Sequence, residues 1–522
     1  MQIDAICVNQ EDLVERSAQV TRMRAVYAGA QKVLVAADAA ISGRCDELVP
    51  LLSLIEPTLS LSRQTTQVTE LMKTNPISLA LEALCSDPYW SRLWIIQEFA
   101  LGAKAEIIFG SHVVNAAKVK WLLDEIGTGS GCDRENRVHN LYGIRQDWQS
   151  NMPVQLIDLL HRTTGSRCSV RHDRVFGLVG LATDALRYIP EPNYKTDLMT
   201  LTVAMTRAYI EKTSADLILL SPHRVLLLAL PSWSVDLFNL DQYPFERRSF
   251  SLVMRRQIYD STPAGVKLPN FVSEKKKQQP SYWHATWGIP SNVTYQGNIM
   301  QTFAGRIGAI RSLGKAWSDP IDCDFPTFDP TWRRVTKAAH LREEFAKLML
   351  NGDSKWALEG YCYIQVFLAS HGSYDVEQND GELQRWICGN RKFFTGVQSL
   401  EECAASLPHP LFLYGPAAYW TWREFEHDMR LGLFQHMAWR AEDDMRMMYL
   451  DTGPKWGAGW AAKSALLHDE VFLIPGCSSP VILRKTDDGR YRVVGDAIVH
   501  GAMEGEYWEQ LNADDIRHIE IV

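Results

Sequence analysis

Short apolar runs alternate with amphipathic segments along the first 110 residues, and this alternation constrains the fold more than any other feature of the sequence. Met1–Val8, Val33–Ala37 and Ala105–Gly110 are predicted to be buried strands because each is short, apolar and followed by turn-forming or polar residues. A helix with a capping-box-like start at Asp12 and Glu15 separates the first two strands. The order strand, helix, strand, helix, strand predicts a parallel sheet with right-handed crossovers. The fold class predicted for this part is therefore α/β.

The second helix of this alternation carries the most unusual residues in the chain. Asp87–Glu98, DPYWSRLWIIQE, begins with an aspartate and a proline that are typical of a helix start, and the helix is predicted to reach Gly102. Trp90, Trp94 and Glu98 recur every four residues, which at about 100° per residue places them on one stripe. A buried Glu98 needs a hydrogen-bond partner or a raised pKa, because burial disfavours the anion. The alternative is that both tryptophans are core residues and Glu98 caps a neighbouring loop.

Length and composition exclude several classes of protein. A chain of 522 residues is too long for one ordinary core, so about two or three domains are expected. A net charge of −8 argues against a general nucleic-acid binder. Ten scattered cysteines without a C-x-x-C pair, and no signal peptide, indicate a reducing compartment, and we expect a cytoplasmic protein. The longest apolar run, Val225–Pro231, is far shorter than the ~18–20 residues of a membrane span.

Motif searches leave few candidate catalytic residues. The sequence has no P-loop, no G-x-G-x-x-G after a strand, no H-E-x-x-H and no G-x-S-x-G elbow. Its fourteen histidines show no ligand spacing, so no metal site is expected. Glu98 is the candidate that remains.

Four segments are predicted from the patterns along the chain. They are an α/β domain at 1–115, a helical extension with short strands at 116–240, a variable α+β region at 241–450, and a β-rich module at 451–522. The segment around 42–76 is predicted to be a polar surface excursion within the first domain.

Individual elements are also predicted beyond the first domain. Leu198–Lys212 is expected to be an amphipathic helix, Leu217–Leu220 a strand, and Tyr419–Tyr449 a helix. Alternating runs around Asp488-Gly489 predict a β-hairpin over Lys485–Val494.

Two blocks of the first domain resemble the heterokaryon incompatibility (HET) domain of filamentous fungi. They are IDAICVNQEDLVERSAQVTRMRAVYAGAQKVLV and PYWSRLWIIQEFALGAKAEIIFG, and both their order and their spacing match. RHDRVFGLVGLATD (171–184) and LPSWSVDL (230–237) resemble segments that follow HET domains, and 469–506 resembles the β-rich tail of long HET proteins. Family members usually carry a further strand and helix before the first block. The resemblance therefore predicts a partial HET domain at 1–115 that begins at Met1 without these two elements.

HET domains in turn resemble TIR domains, which implies a TIR-like parallel sheet and a candidate activity. TIR domains that cleave NAD⁺ carry a glutamate four residues after a tryptophan, as Glu98 follows Trp94. The resemblance implies that Glu98 is catalytic, that Trp90 and Trp94 line the NAD-binding pocket, and that NAD⁺ is a substrate rather than a bound cofactor. It also implies a role in fungal non-self recognition and regulated cell death.

Two further readings of the resemblance stay open. The chain is either a non-enzymatic scaffold that self-associates or engages another incompatibility protein, or a truncated inactive paralogue whose true start lies upstream of Met1. Neither reading predicts nucleic-acid binding.

Overall fold

The computed structural model of this protein divides the chain into two compact units. Unit 1 comprises residues 1–205 and 236–244, and unit 2 comprises residues 206–235 and 245–522. The structure describes residues 8–9, 11–36, 45–72, 75–109, 112–126, 133–189, 191–220, 230–238, 285–286, 289–316, 319, 390, 392–393, 445–452, 457–499, 502–503 and 505–522.

Unit 1 is largely helical around a small sheet. Its strands are β1 (Val33–Ala36), β2 (Ala105–Phe109) and β3 (His112–Asn115). Its helices are α1 (Leu13–Ala28), α2 (Cys45–Leu54), α3 (Thr66–Met72), α4 (Asn75–Cys85), α5 (Ile95–Leu101), α6 (Ala116–Ile126), α7 (Asp133–Gln149), α8 (Leu156–Arg162), α9 (Asp173–Val179) and α10 (Ala185–Tyr188), followed by α11 (Leu198–Lys212), which runs across the division into unit 2.

The sheet of unit 1 contains the predicted parallel pair. Strand β1 lies parallel to β2, with Val33 opposite Ala105 and Ala36 opposite Ile108. Strand β3 returns antiparallel to β2, which the sequence pattern did not predict. Residues 1–7 of the predicted first strand lie outside the described residues, so its place in this sheet stays a prediction.

Helix α1 begins where the sequence predicted it. Asp12 is its N-cap, and its carboxylate accepts hydrogen bonds from the N–H groups of Val14 at 2.8 Å and Glu15 at 3.2 Å. The Glu15 carboxylate accepts from the N–H of Asn9 at 3.3 Å. The aspartate cap is therefore confirmed.

The prediction of one continuous helix from Pro88 to Gly102 is wrong. Pro88–Ser91 is a single 3₁₀ turn, and the α-helix proper is α5, which starts seven residues after Pro88. Between them Arg92 is extended, with φ −78° and ψ 138°, and forms a parallel β-bridge with Arg167. A tertiary contact of the backbone therefore takes the place of the intrahelical hydrogen bonds that the local pattern favours.

Two further apolar segments are helical where the sequence predicted otherwise. The supposed surface excursion at 42–76 contains α2, which buries Leu48, Leu51 and Leu52. The predicted strand Leu217–Leu220 belongs to a fully buried 3₁₀ helix, Ala215–Leu220. The prediction for 42–76 was wrong because it missed this buried apolar stretch. The prediction for Leu217–Leu220 was wrong because short apolar runs fit either a strand or a helix.

The described residues of unit 2 form an eight-stranded sheet. Its strands are β4 (Thr294–Gln296), β5 (Ile299–Leu313), β6 (Arg446–Leu450), β7 (Ala458–Ala461), β8 (Glu470–Leu473), β9 (Val481–Lys485), β10 (Tyr491–Val499) and β11 (Ile516–Ile521). The strand order is β11-β10-β7-β6-β5-β8-β9, and β4 pairs with β5. Strand β10 also pairs with β9, and β11 also pairs with β5, so the sheet closes on itself.

The inside of this sheet is apolar, and the predicted β-rich C-terminal part is confirmed. The hairpin of β9 and β10 is antiparallel, with Lys485 opposite Tyr491 and Gly489 in the turn at φ +84°. The core cluster consists of Ala285, Ile307, Ile310, Met448, Leu450, Ala461, Ala462, Ala465, Val471, Leu473, Ile482, Val494, Ala497, Val499 and Ala502.

Strand β6 corrects the end of one predicted helix. Met447, Met448 and Tyr449 belong to β6, whereas the sequence predicted a helix over Tyr419–Tyr449. The rest of that helix lies outside the described residues. The predicted segment boundaries at residues 115, 240 and 450 remain predictions. Within the described ranges, no helix is long and apolar enough to cross a bilayer.

Candidate functional site

Glu98 lies in the first turn of α5, on a helix that is otherwise almost fully buried. Its side chain is half-buried, and its backbone N–H donates to the carbonyl of Trp94 at 3.5 Å. The buried residues of this helix are Ile95, Ile96, Gln97, Phe99, Ala100 and Leu101. Glu98 is therefore the one residue of α5 with substantial access to solvent.

Trp90 is a core residue in this structure. Only 4% of it is exposed, and its indole N–H donates to the carbonyl of Leu84 at 2.8 Å. Its ring meets Phe99 edge-on, with 6.0 Å between the centroids. The pocket-lining role assigned to Trp90 stays a prediction, and its contacts are those of packing.

Trp94 is separate from Trp90 and lies directly before α5. It occupies the N-cap position in a helical conformation, with φ −64° and ψ −26°. Its indole N–H donates to Oδ2 of Asp173 at 3.1 Å. Because Trp90 lies in the 3₁₀ turn and Trp94 beyond the break at Arg92, the single helical stripe through Trp90, Trp94 and Glu98 is wrong.

Tyr89 is a site residue that the sequence pattern did not reveal. Its hydroxyl is buried, and it makes no hydrogen bond within the part of the chain that the structure describes. Burial raises the pKa of the Tyr89 hydroxyl above its ordinary value, and the nearby charge of Glu98 raises it further. An unpaired buried hydroxyl close to a carboxylate is a feature that a bound ligand would satisfy. The only signal in the sequence is its place beside Trp90.

Asp173 is the second residue that the sequence did not single out, and it accepts hydrogen bonds from three distant side chains. Arg16 Nη2 lies 3.2 Å from Oδ1 and 3.4 Å from Oδ2, and the indole of Trp94 donates to Oδ2. The hydroxyl of Tyr194 donates to Oδ1. Only 4% of the Asp173 side chain and 13% of the Arg16 side chain are exposed. This group is called the Asp173 hub below: Asp173, Arg16, Trp94 and Tyr194.

Aromatic rings surround the hub on the side of Tyr194. The Arg16 guanidinium lies over the Tyr194 ring, 4.1 Å from its centroid. His172, next to Asp173, has its Nε2 2.8 Å from the carbonyl of Thr196. The rings of His172, Phe176, Tyr194 and Phe238 pack together, with centroids 5.2–6.3 Å apart. The hub therefore lies in a dry environment, where its hydrogen bonds are strong.

Gln97 gives α5 a second link to α9. Its amide Nε2 donates to the carbonyl of Gly177 at 2.6 Å, and the residue is fully buried. Gly180 approaches so closely that a Cβ there would lie 2.6 Å from Gln97 Oε1. A side chain at position 180 would therefore force the amide of Gln97 to shift.

Arg145 fixes the other end of α5. Its guanidinium donates to the carbonyls of Phe99, Gly102 at 2.7 Å and Ala103 at 3.1 Å, which are groups that a helix end leaves unpaired. Burial lowers the pKa of the Arg145 guanidinium. The helix that carries Glu98 is therefore held at both ends by long-range side-chain contacts.

The arrangement offers a half-buried carboxylate, that of Glu98, whose charge acts on the buried hydroxyl of Tyr89. A carboxylate can stabilise positive charge that develops on a sugar ring during bond cleavage. Among the described residues, no group of three or more His, Cys, Asp or Glu side chains has the geometry to hold a metal ion.

Comparisons with known proteins agree with the resemblance found in the sequence. Residues 2–98 match the family model of the heterokaryon incompatibility protein (HET). The heterokaryon incompatibility protein 6, OR allele, of Neurospora crassa is 27% identical over 266 residues, which cover 40% of this chain and 38% of that protein. No solved structure matches.

The segment that holds Trp90, Trp94 and Glu98 therefore lies within the part of the chain that is similar to the HET family. The match to the Neurospora crassa protein covers a larger share of this chain than the 2–98 segment does.

Proposed function

We propose that this chain acts in heterokaryon incompatibility, the response by which fungal cells recognise non-self, and that it triggers regulated cell death. The HET match at 2–98 and the similarity to an incompatibility protein of Neurospora crassa support this role. The parallel β1–β2 pair is what a TIR-like sheet would contain. A cytoplasmic location is part of the proposal.

The mechanism that we propose is cleavage of NAD⁺ at the bond between nicotinamide and ribose. Departure of nicotinamide leaves oxocarbenium-like charge on the ribose, and water then adds to give ADP-ribose and a proton. Glu98 is the candidate catalytic carboxylate, since its charge would stabilise the developing cation. NAD⁺ is a substrate in this scheme, and the proposal includes no resident cofactor.

One observation carries this mechanism: the buried, unpaired hydroxyl of Tyr89 lies within electrostatic range of Glu98. A buried hydroxyl without a partner costs about 1–3 kcal/mol of stability. A substrate oxygen that accepts a hydrogen bond from this hydroxyl would remove that cost. The raised pKa keeps Tyr89 protonated and able to donate. The partial exposure of Trp94 supports a role for this tryptophan in contacting a substrate.

The experiment compares Glu98→Gln with a matched Glu82→Gln control under inducible expression in a filamentous fungus. Glu82 is exposed on α4, so its replacement removes a charge from the same unit at little cost. We expect the wild type and Glu82→Gln to arrest growth and deplete NAD⁺. We expect Glu98→Gln, with an unchanged melting temperature, to do neither. Growth arrest without NAD⁺ loss in a folded Glu98→Gln protein would eliminate the enzymatic mechanism.

A second candidate mechanism is self-association without catalysis, and an exposed apolar face favours it. Leu34 on β1 and Val113 on β3 are 49% and 58% exposed. The pairing register places both on one face of the three-stranded sheet, together with Glu106 and Ile108. Exposed apolar patches of this kind mark sites where another protein binds. The partner in this scheme is a second copy of the chain or another incompatibility protein.

The two mechanisms are separated by Leu34→Lys combined with Val113→Lys. Under self-association this variant loses oligomers in sedimentation experiments and loses growth arrest, whereas Glu98→Gln keeps both. Under NAD⁺ cleavage by an isolated chain, the double lysine variant keeps growth arrest, whereas Glu98→Gln loses it.

A further inference from the structure

We propose that Asp173, which lies outside the segment matched to the HET family, is a positioning residue that holds Trp94 and thereby the first turn of the helix carrying Glu98. The inference rests on the proposed role of Glu98. Its evidence is the geometry of the Asp173 hub.

The hub uses the full hydrogen-bonding capacity of a buried carboxylate. Three side chains donate to its two oxygens, and one of them, Arg16, also supplies the compensating positive charge. A carboxylate buried this deeply is stable only because these donors replace water. Each donor is therefore held in one orientation by a strong directional contact.

The donors come from distant parts of the chain. Arg16 is 157 residues from Asp173, Trp94 is 79 residues away, and Tyr194 is 21 residues away. The backbone N–H of Tyr194 also donates to Ser17 Oγ at 3.3 Å. One carboxylate thus fixes α1 and the start of α5, both inside the matched segment, to residues that follow it.

Trp94 is the donor through which Asp173 would act on the site. It is the last residue before α5, and its carbonyl accepts from the N–H of Glu98. A shift of its indole therefore shifts the first turn of α5. Displacement of a reacting group by about 1 Å lowers rates by about 100-fold.

An asparagine at this position tests the role without changing side-chain size. Its carboxamide has one acceptor oxygen and one NH₂ donor, so it cannot accept from Arg16, Trp94 and Tyr194 together. The Tyr194 hydroxyl can turn and accept from this NH₂ group, but Arg16 and the indole of Trp94 can only donate, so whichever of them faces the NH₂ must move. The ring of Trp94, which lies at a partly exposed position, has room to do so.

The experiment follows Trp94 and catalysis in the same full-length protein. The chain is labelled with 5-fluorotryptophan, and the ¹⁹F resonance of Trp94 is assigned as the one that disappears in Trp94→Phe. In Asp173→Asn we expect that resonance to shift, the kcat of NAD⁺ cleavage to fall by about 10- to 100-fold, and KM to change by less than about twofold.

Asp158→Asn is the matched control. Asp158 is also a carboxylate bonded to an arginine in unit 1, with Arg162 Nη1 3.1 Å from its Oδ2, but it is only partly buried and belongs to α8. We expect this variant to leave the Trp94 resonance in place and kcat unchanged. An equal loss of kcat in the control would show a general structural effect and overturn the proposal.

If Asp173→Asn does not fold, Tyr194→Phe takes its place. It removes one hub donor and keeps the ring that stacks against Arg16. We then expect a smaller shift of the Trp94 resonance and a fall of kcat by about 3- to 10-fold.

The outcomes separate this inference from the proposed function. A Trp94 resonance that stays in place in a folded hub variant, or one that moves while kcat is unchanged, overturns the positioning role. A wild-type chain that does not cleave NAD⁺ overturns the proposed mechanism instead. Growth arrest then replaces kcat as the readout, and a hub variant with full growth arrest overturns the positioning role.

Discussion

Asp173 in unit 1 and Asp469 in unit 2 are both about 3% exposed, yet they are bonded in different ways. Asp173 accepts from side chains 157, 79 and 21 residues away. Asp469 accepts two bonds of 2.8 Å from the guanidinium of Arg484, 15 residues away, and one from the N–H of Leu466. The first carboxylate connects segments that are remote in sequence, whereas the second fixes one local turn.

The difference follows from how each unit holds its remote segments together. In unit 2 the backbone does so: β5 pairs with β11 along six residue positions, from Met300 opposite Ile521 to Gly305 opposite Ile516. In the described part of unit 1 the sheet has three short strands, and short helices such as α5 and α9 have no backbone ladder between them. Side-chain hydrogen bonds such as those of Asp173 and Gln97 therefore carry the long-range contacts. We therefore expect the loss of Asp173 to destabilise the protein more than the loss of Asp469.

The largest effect is expected from Asp173→Ala. It leaves the Arg16 guanidinium, with 13% of its side chain exposed, without its buried partner, and we expect the free energy of unfolding to fall by about 3–5 kcal/mol. Urea unfolding measures this change. Asp158→Ala is the control with a smaller expected loss, because Arg162 retains Asp147 at 2.6 Å. Equal losses in the two variants would contradict a special role of the hub.

Asp469→Ala should cost less, about 1–3 kcal/mol. The Arg484 side chain is 41% exposed, so its guanidinium regains water when the carboxylate is removed. The N–H of Leu466 loses its acceptor, which accounts for most of the expected loss. The same urea experiment applies, and a loss as large as that of Asp173→Ala would remove the contrast between the two units.

Gly489→Ala tests a purely local feature of unit 2. Gly489 has φ +84°, and a Cβ added at this position would meet no other atom within 4 Å, so the cost is conformational and amounts to about 1 kcal/mol. Gly489→Asn should cost less, because asparagine tolerates this conformation better. Thermal unfolding of both variants measures the difference. If alanine and asparagine behave alike, the turn is not held in the left-handed region in solution.

The last effect is expected in the pH dependence of stability, and it is confined to alkaline pH. Burial, with a hydrogen bond to Glu470 at 2.9 Å, raises the pKa of Tyr491 to about 12 from its ordinary value of 10.0. The unfolded chain therefore loses this proton first, so the contribution of Tyr491 is present below pH 10 and is lost as the pH rises towards 12. The difference between the wild type and Tyr491→Phe should shrink over that window. A constant difference would show that the Tyr491 hydroxyl titrates alike in both states.

Local signals in the sequence predicted elements whose stability is local. The Asp12 cap, the helix Leu198–Lys212 and the hairpin turn at Gly489 were all predicted correctly, because capping, helical period and turn chemistry act over a few residues. The parallel β1–β2 pair was also predicted, since the strand–helix alternation leaves few topologies. By contrast, the 15-residue strand β5, on which unit 2 is built, lies in a region for which the sequence predicted only a variable α+β structure.

In the candidate site, too, some features could be predicted from the sequence and others depend on the tertiary structure. The sequence alone directed attention to Asp87–Glu98, because two tryptophans and a glutamate at regular spacing are visible in it. Only the tertiary structure broke that segment at Arg92, where the chain pairs with Arg167 instead of continuing a helix. Only the tertiary structure placed Asp173 against Trp94 and the hydroxyl of Tyr89 near Glu98. The physical reason is that a polar side chain buried away from water must hydrogen-bond to whichever group the fold brings next to it. A periodic pattern in the sequence carries no information about a partner 79 residues away.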